Sequence, residues 1–83
     1  MNLKQQAASH ALEFVENGMV VGLGTGSTTR IFIELLGEKI RCGDLKGIKG
    51  VPTSIASAAQ ARALGIELTT LSDNPQLDIA IDG

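Results

Sequence analysis

Glycines and hydroxyl side chains are concentrated in one short segment, residues 22–29, whose sequence is Gly-Leu-Gly-Thr-Gly-Ser-Thr-Thr. Because glycine has no Cβ, the backbone N–H groups of such a segment can come close to a ligand. Serine and threonine hydroxyls add further hydrogen-bond donors. Donors gathered in this way bind anions, and a phosphate group is the obvious ligand.

The flanking residues predict the elements that hold this segment in place. Residues 19–23 form an apolar run with β-branched side chains, which predicts a buried strand, and residues 28–40 have a helical apolar face. A helix that starts here adds unpaired N–H groups and the positive end of its dipole. The local pattern is a weak signal by itself, since a tight turn with glycines for packing and hydroxyls as helix caps has the same sequence features.

The rest of the chain alternates between helical and strand patterns. Residues 2–16 predict a helix that ends at residues 17–18, Asn-Gly. Its expected apolar stripe consists of Leu3, Ala7, Ala11 and Val15, and Ala8 and Leu12 widen it. Further strands are predicted at residues 48–51, 66–71 and 77–81, and a helix capped by Thr53 or Ser54 lies between the first two of them. This order predicts a single α/β domain, residues 1–83, with a largely parallel sheet.

The strand order decides which residues meet at the glycine segment. In a doubly wound sheet with the order 3-2-1-4, the fourth strand lies beside the first, and a crevice opens between their carboxyl ends. The first strand ends at the glycine turn, and the fourth ends at Asp82 and Gly83. We therefore expect Asp82 to face the turn across this crevice.

Two common phosphate-binding motifs do not fit the segment. A dinucleotide site needs a third glycine at position 27 or 29, where this chain has Ser27 and Thr29, and an acidic residue at the tip of the second strand. A P-loop needs a lysine in the turn, and there is none. The remaining candidate ligand is a compact monophosphate on a small molecule.

Composition excludes several other functions. The net charge of −2 and the aromatic content of 2% argue against a nucleic-acid partner. No run of about 18 apolar residues predicts a membrane span, and the N-terminus lacks the features of a signal peptide. Cys42 is the sole cysteine, so an internal disulfide is impossible. We therefore expect a cytoplasmic protein.

Four motifs, taken together, resemble ribose-5-phosphate isomerase type A. They are the glycine segment at residues 18–28, Gly-Val-Pro-Thr-Ser at 50–54, Leu-Gly-Ile at 64–66 and Asp-Ile-Ala-Ile-Asp-Gly at 78–83. The resemblance implies a Rossmann-like three-layer α/β/α fold. It also implies interconversion of ribose 5-phosphate and ribulose 5-phosphate through an enediolate, in the non-oxidative pentose phosphate pathway. It further implies no metal, no organic cofactor and a homo-oligomer, dimer or tetramer.

The same resemblance assigns roles to individual residues. The substrate-binding residues would be Lys4, Thr25, Gly26, Ser27, Thr28, Asp82 and Gly83. Lys4 matches a lysine that contacts the phosphate, although periodicity alone would favour a solvated surface lysine. Asp82 would be catalytic, contacting the sugar hydroxyls and assisting ring opening.

Part of the family's catalytic machinery has no counterpart in these 83 residues, namely a second aspartate, a lysine- and glycine-rich segment and the glutamate general base. Isomerisation needs a base that moves a proton between C1 and C2. Glu67, Asp73 and Asp78 are not expected at the crevice and so do not replace it. We therefore expect a truncated N-terminal segment of the isomerase with little or no activity alone.

Other interpretations of the pattern stay open. A sugar-phosphate sensor domain of the same fold would bind the ligand without chemistry. A CoA transferase would need a glutamate nucleophile, and none is evident. The remaining interpretation is an α/β module without a ligand.

Overall fold

The computed structural model describes residues 2–81 of the chain. In chain order the elements are α1 (Leu3–Leu12), β1 (Val20–Leu23), α2 (Ser27–Arg41), β2 (Lys49–Pro52), α3 (Ile55–Ala63), β3 (Glu67–Leu68) and β4 (Ile79–Ile81). The glycine turn therefore occupies the connection from β1 to α2. In this range, every helix is too short or too polar to cross a membrane.

The described strands form one parallel sheet in the order β3-β2-β1-β4. This confirms the predicted α/β class and the predicted position of β4 beside β1. The register aligns Leu23, the last residue of β1, with Pro52 of β2 and Ile81 of β4. The carboxyl ends of these three strands thus lie together at the edge of the sheet where the glycine turn begins.

The helices pack on one face of this sheet. Two successive right-handed crossovers in the same direction put α2 and α3 on the same side. Buried side chains from all three helices join those of β1 in one core, which includes Ala8, Val21, Leu23, Phe32, Ile33, Leu36 and Ala61. The second helical layer of a three-layer fold does not occur within residues 2–81.

Gly22 allows close packing on the other face of the sheet. A Cβ at this position would lie 2.9 Å from Leu77 Cδ1 and 3.2 Å from Ala80 Cβ. Leu77 belongs to the connection from β3 to β4, so this connection runs over the face opposite the helices. The absence of a side chain at Gly22 lets β4 and the residues before it lie against β1.

Helix α1 differs from the prediction in length and in its buried side. It begins with a capping box, in which the Asn2 side chain accepts a hydrogen bond from the Gln5 N–H at 2.8 Å. It ends after only 10 residues. Leu3 and Ala7 were expected in the apolar stripe but are exposed, Leu3 by 82%. The helix packs through Ala8, as expected, together with Ala11 and Leu12, so the predicted stripe was wrong at Leu3 and Ala7.

The Asn-Gly pair after α1 does not cap the helix. It forms hydrogen bonds that join the segments preceding β1 and β2. Gly18 has φ +81° and its N–H donates to the Lys46 carbonyl at 2.9 Å. The Asn17 side chain in turn accepts from the Lys46 N–H at 2.9 Å. These bonds join the residues before β1 to those before β2.

Strand β3 covers two residues, where the sequence predicts a strand over 66–71. The last ladder bond runs from the Thr69 N–H to the Gly50 carbonyl at 2.9 Å. Beyond it the chain turns away from β2, and Leu71 is 53% exposed. The apolar pattern at 66–71 therefore overstates the length of this edge strand.

Candidate phosphate-binding site

The glycine turn is accessible at the carboxyl edge of the sheet. Thr25, Gly26 and Ser27 are exposed and Thr28 is half-buried. Gly26 is the N-cap of α2 and has no side chain with which to satisfy the helix. The first backbone N–H groups of α2 are thereby left for a ligand, at the positive end of the helix dipole.

Glycine is required at position 26 by its backbone conformation. Gly26 has φ +116° and ψ 164°, a region that residues with a Cβ hardly ever occupy. Its carbonyl still accepts the first helical hydrogen bond, from the Arg30 N–H at 3.0 Å. Gly26 therefore starts the helix while keeping the approach to its N-terminus open.

Four hydrogen bonds fix the turn to the elements around it. The Leu23 carbonyl accepts from the N–H of Thr53 at 3.0 Å and from the Thr53 hydroxyl at 3.2 Å. The Gly24 N–H donates to the Ile81 carbonyl at 2.8 Å, and the Gly24 carbonyl accepts from the Ser57 hydroxyl at 2.6 Å. The turn is thus fixed to the end of β2, to α3 and to β4.

Ser57 was not among the residues singled out from the sequence. It is buried, at 5% exposure, in the first turn of α3. Ser54 caps that helix, as predicted, by accepting from the Ser57 N–H at 3.1 Å, and its hydroxyl donates to Ser57 Oγ at 3.1 Å. The sequence feature that could have identified Ser57 is its position three residues after the helix-capping Ser54.

Ser57→Ala is expected to lower the free energy of unfolding by about 1–3 kcal/mol, because the buried Gly24 carbonyl would lose its hydroxyl donor. Chemical denaturation of the chain measures this loss. The control is Ser72→Ala, which removes an exposed hydroxyl and should change stability by less than about 0.5 kcal/mol. Equal stability of the two variants would contradict the anchoring role.

A cavity of about 410 Å³ opens beside the turn, between the first turns of α2 and α3. Its lining is mostly polar and consists of Thr25, Gly26, Arg30, Glu34, Ser54, Ala56, Ser57 and Gln60. Gln60 Nε2 donates to the Arg30 carbonyl at 2.8 Å and so ties α3 to α2. A small molecule thus has access to this side of the glycine turn.

Lys4 is exposed in the first turn of α1. The C-terminal part of α1 and the end of α2, with the loop that follows it, line a cavity of about 540 Å³ that includes Leu12, Leu35 and Leu45. Lys4 precedes Leu12 by eight residues, a rise of about 12 Å along α1, so it lies at the end of α1 away from this cavity.

The predicted sugar-binding residues Asp82 and Gly83 lie outside the described residues. The residue before them is described, and it touches the turn through the Ile81 carbonyl and the Gly24 N–H. The chain therefore leaves β4 at the edge of the sheet where the glycine turn begins.

Two other carboxylates considered from the sequence, Asp78 and Glu67, lie at the amino-terminal ends of the strands, as expected. Asp78 Oδ2 accepts from the Val20 N–H at 2.7 Å, at the start of β1 and β4. Glu67 is the first residue of β3, and its carboxylate lies 3.8 Å from Lys49 Nζ. Asp73 is in the turn between β3 and β4. Neither Asp78 nor Glu67 is positioned to move a proton at the glycine turn.

Comparisons with known proteins point to one family. The family model "Ribose 5-phosphate isomerase A (phosphoriboisomerase A)" matches residues 49–83. A ribose-5-phosphate isomerase A from Nitrobacter hamburgensis is 59% identical over 81 residues, which are 98% of this chain and 34% of that protein. The isomerase A of Trichodesmium erythraeum is 53% identical over 81 residues, which are again 98% of this chain and 34% of that protein. Over nearly its whole length, this chain is thus similar to ribose-5-phosphate isomerase A.

Solved isomerase structures have the same fold. A D-ribose-5-phosphate isomerase in complex with phospho-erythronic acid superposes with a TM-score of 0.95 at 46% identity, covering 100% of this chain and 38% of that one. The ribose 5-phosphate isomerase of Plasmodium falciparum gives a TM-score of 0.92 at 43% identity, covering 98% and 35%. The chain thus spans about a third of the length of the isomerase A relatives that it matches.

Proposed function

We propose that this chain supplies the substrate-phosphate site of a ribose-5-phosphate isomerase. The observation that carries the proposal is the open N-terminus of α2 at Gly26, at the carboxyl edge of β1 and next to β4. Phosphate oxygens would accept hydrogen bonds from the first N–H groups of α2 and from the Ser27 and Thr28 hydroxyls. The related isomerase that holds phospho-erythronic acid supports a phosphorylated ligand of this size.

The remaining site residues act at the two ends of the substrate. Lys4 adds a positive charge for the phosphate, and Thr25 contacts the substrate beside it. Asp82 and Gly83 bind the sugar end, where Asp82 assists ring opening. The base that moves the proton between C1 and C2 comes from the part of the isomerase that these 83 residues do not include.

The complete isomerase is proposed to be a cytoplasmic homo-oligomer, a dimer or a tetramer, that acts in the pentose phosphate pathway. The alternative is a sensor-type domain that binds the sugar phosphate without converting it.

A grafted enzyme tests the proposal. In this graft, the chain replaces the matching 81 residues of the Nitrobacter hamburgensis isomerase A. We expect the graft to isomerise ribose 5-phosphate with a kcat/KM within about tenfold of that of the unmodified relative. A tenfold difference corresponds to about 1.4 kcal/mol in the activation free energy. The 83-residue chain alone should bind ribose 5-phosphate, shifting the amide NMR signals of residues 24–29, but should not turn it over.

The possible outcomes separate the two functions. A folded graft that binds ribose 5-phosphate but never isomerises it would favour the sensor. A graft and a chain that both fail to bind the sugar phosphate would contradict either function.

A further inference from the structure

Thr29 carries a buried hydroxyl that the phosphate site, as described above, does not use. The side chain has 0% exposure and lies in the first turn of α2, directly after Thr28. Its Oγ1 has no hydrogen-bond partner among residues 2–81. A buried polar group without a partner is costly, and native proteins rarely keep one. A second arrangement in which this hydroxyl is paired would explain it.

A suitable acceptor lies four residues earlier in the chain. The carbonyls of Leu23, Gly24 and Gly26 each accept a hydrogen bond from a described residue. For the Thr25 carbonyl, the part of the chain that the structure describes provides no such donor. Threonine hydroxyls near the start of a helix can donate to the carbonyl four residues before them, and this is the spacing from Thr29 to Thr25.

The peptide that joins Thr25 to Gly26 is able to reorient. It precedes Gly26, which has φ +116° and, because it lacks a Cβ, allows a wider range of peptide orientations than other residues do. In a trans peptide the C=O and the N–H point in opposite directions. A rotation that turns the Thr25 carbonyl inward, toward Thr29, therefore turns the Gly26 N–H outward, toward a ligand.

We propose that Thr29 is a positioning residue of the phosphate site, whose hydroxyl donates to the Thr25 carbonyl when phosphate is bound. This inference rests on the proposed function. In the arrangement that the structure describes, the Thr29 hydroxyl has no partner among residues 2–81. Phosphate selects the second arrangement because only there does the Gly26 N–H face it. The net worth of one hydrogen bond corresponds to about fivefold tighter binding.

Thr29→Val and Thr29→Ser, made in the 83-residue chain and in the graft, test this inference. Valine keeps the shape of threonine without the hydroxyl, whereas serine keeps the hydroxyl. Thr29→Val should raise the melting temperature of the unliganded chain, because the unpaired hydroxyl is gone. It should weaken binding of inorganic phosphate and ribose 5-phosphate about fivefold, raising KM of the graft without lowering kcat. Thr29→Ser should bind like the unsubstituted chain.

A spectroscopic signature accompanies the affinity change. Adding phosphate should shift the 13C signal of the Thr25 carbonyl in the unsubstituted and Thr29→Ser chains but not in Thr29→Val. If Thr29→Val bound phosphate as tightly as the unsubstituted chain, the inference would be overturned. It would also be overturned if Thr29→Val and Thr29→Ser weakened phosphate binding equally, because the loss would then come from altered packing and not from the hydroxyl. If the unsubstituted chain and graft bind neither ligand, the proposed function fails, and the inference fails with it.

Discussion

Asp82→Asn in the graft is expected to lower kcat about 10²- to 10⁴-fold, the range for loss of a group that transfers protons in catalysis. Asparagine keeps the size of the side chain and its ability to hydrogen-bond the sugar hydroxyls. It cannot take up or release a proton, so ring opening slows. We therefore expect KM to change by much less than kcat, on the order of a few-fold.

The position of the strand end is the structural reason for choosing Asp82. Ile81 pairs with Leu23 in the sheet, and its carbonyl accepts from the Gly24 N–H at 2.8 Å. Strand β4 therefore ends at the edge of the sheet where the glycine turn starts. Since the substrate phosphate is proposed to bind at that turn, Asp82, which follows β4 in the sequence, is our candidate for the sugar.

Steady-state kinetics of ribose 5-phosphate isomerisation measures the effect of this variant. Asp73→Asn is a matched control, because it makes the same chemical change in the exposed turn between β3 and β4. We expect its kcat to equal that of the unsubstituted graft. An Asp82→Asn graft with undiminished kcat would remove Asp82 from the catalytic residues.

The elements of this chain were predictable because they follow from local patterns. Apolar runs and helical faces located β1, α2, β2 and α3, and the observed order β3-β2-β1-β4 is the doubly wound order that the prediction assumed. The glycine turn was predictable for the same reason, since a strand, a glycine-rich turn and a helix start are contiguous in sequence. Its residues Thr25, Gly26 and Ser27 are indeed exposed at the carboxyl edge of the sheet.

Contacts between distant segments were not predictable from these patterns. The hydrogen bond from Ser57 to the Gly24 carbonyl joins residues 33 positions apart, so it depends on the register of β1 against β2 and on the rotation of α3. The exposure of Leu3 depends likewise on which side of α1 meets α2. A four-residue repeat marks a helix face, but it does not show how far along that face the neighbouring helix extends.

The partnerless hydroxyl of Thr29 illustrates a further limit. In the sequence, Thr29 was one of several hydroxyl-bearing residues at the start of a helix, and all of these hydroxyls were candidates for binding the ligand. Burial separates it from Ser27, which is exposed, and directs it to the core side of α2. Side chains of the same chemical type thus have different roles in this turn according to the side of the helix on which they lie.

Gly26→Ala in the graft is expected to lower kcat/KM about 100-fold, which is the effect of displacing a bound group by about 1 Å. Gly26 has φ +116° and ψ 164°, and alanine in that conformation carries a strain of about 1–3 kcal/mol. The backbone would relieve this strain by moving, and the first N–H groups of α2 would move with it. Phosphate binding would then lose its alignment, so the affinity for inorganic phosphate should fall together with kcat/KM.

Gly43→Ala separates this effect from a general loss of stability. Gly43 also has a positive φ, +86°, and a Cβ there would meet nothing within 4 Å. It follows the C-terminal end of α2, at the opposite end of that helix from the turn. Thermal melting should show both variants destabilised, whereas kinetics should show a loss of kcat/KM for Gly26→Ala alone. If the two variants had the same kcat/KM, the N-terminus of α2 would not be the phosphate site, because only Gly26 controls its backbone.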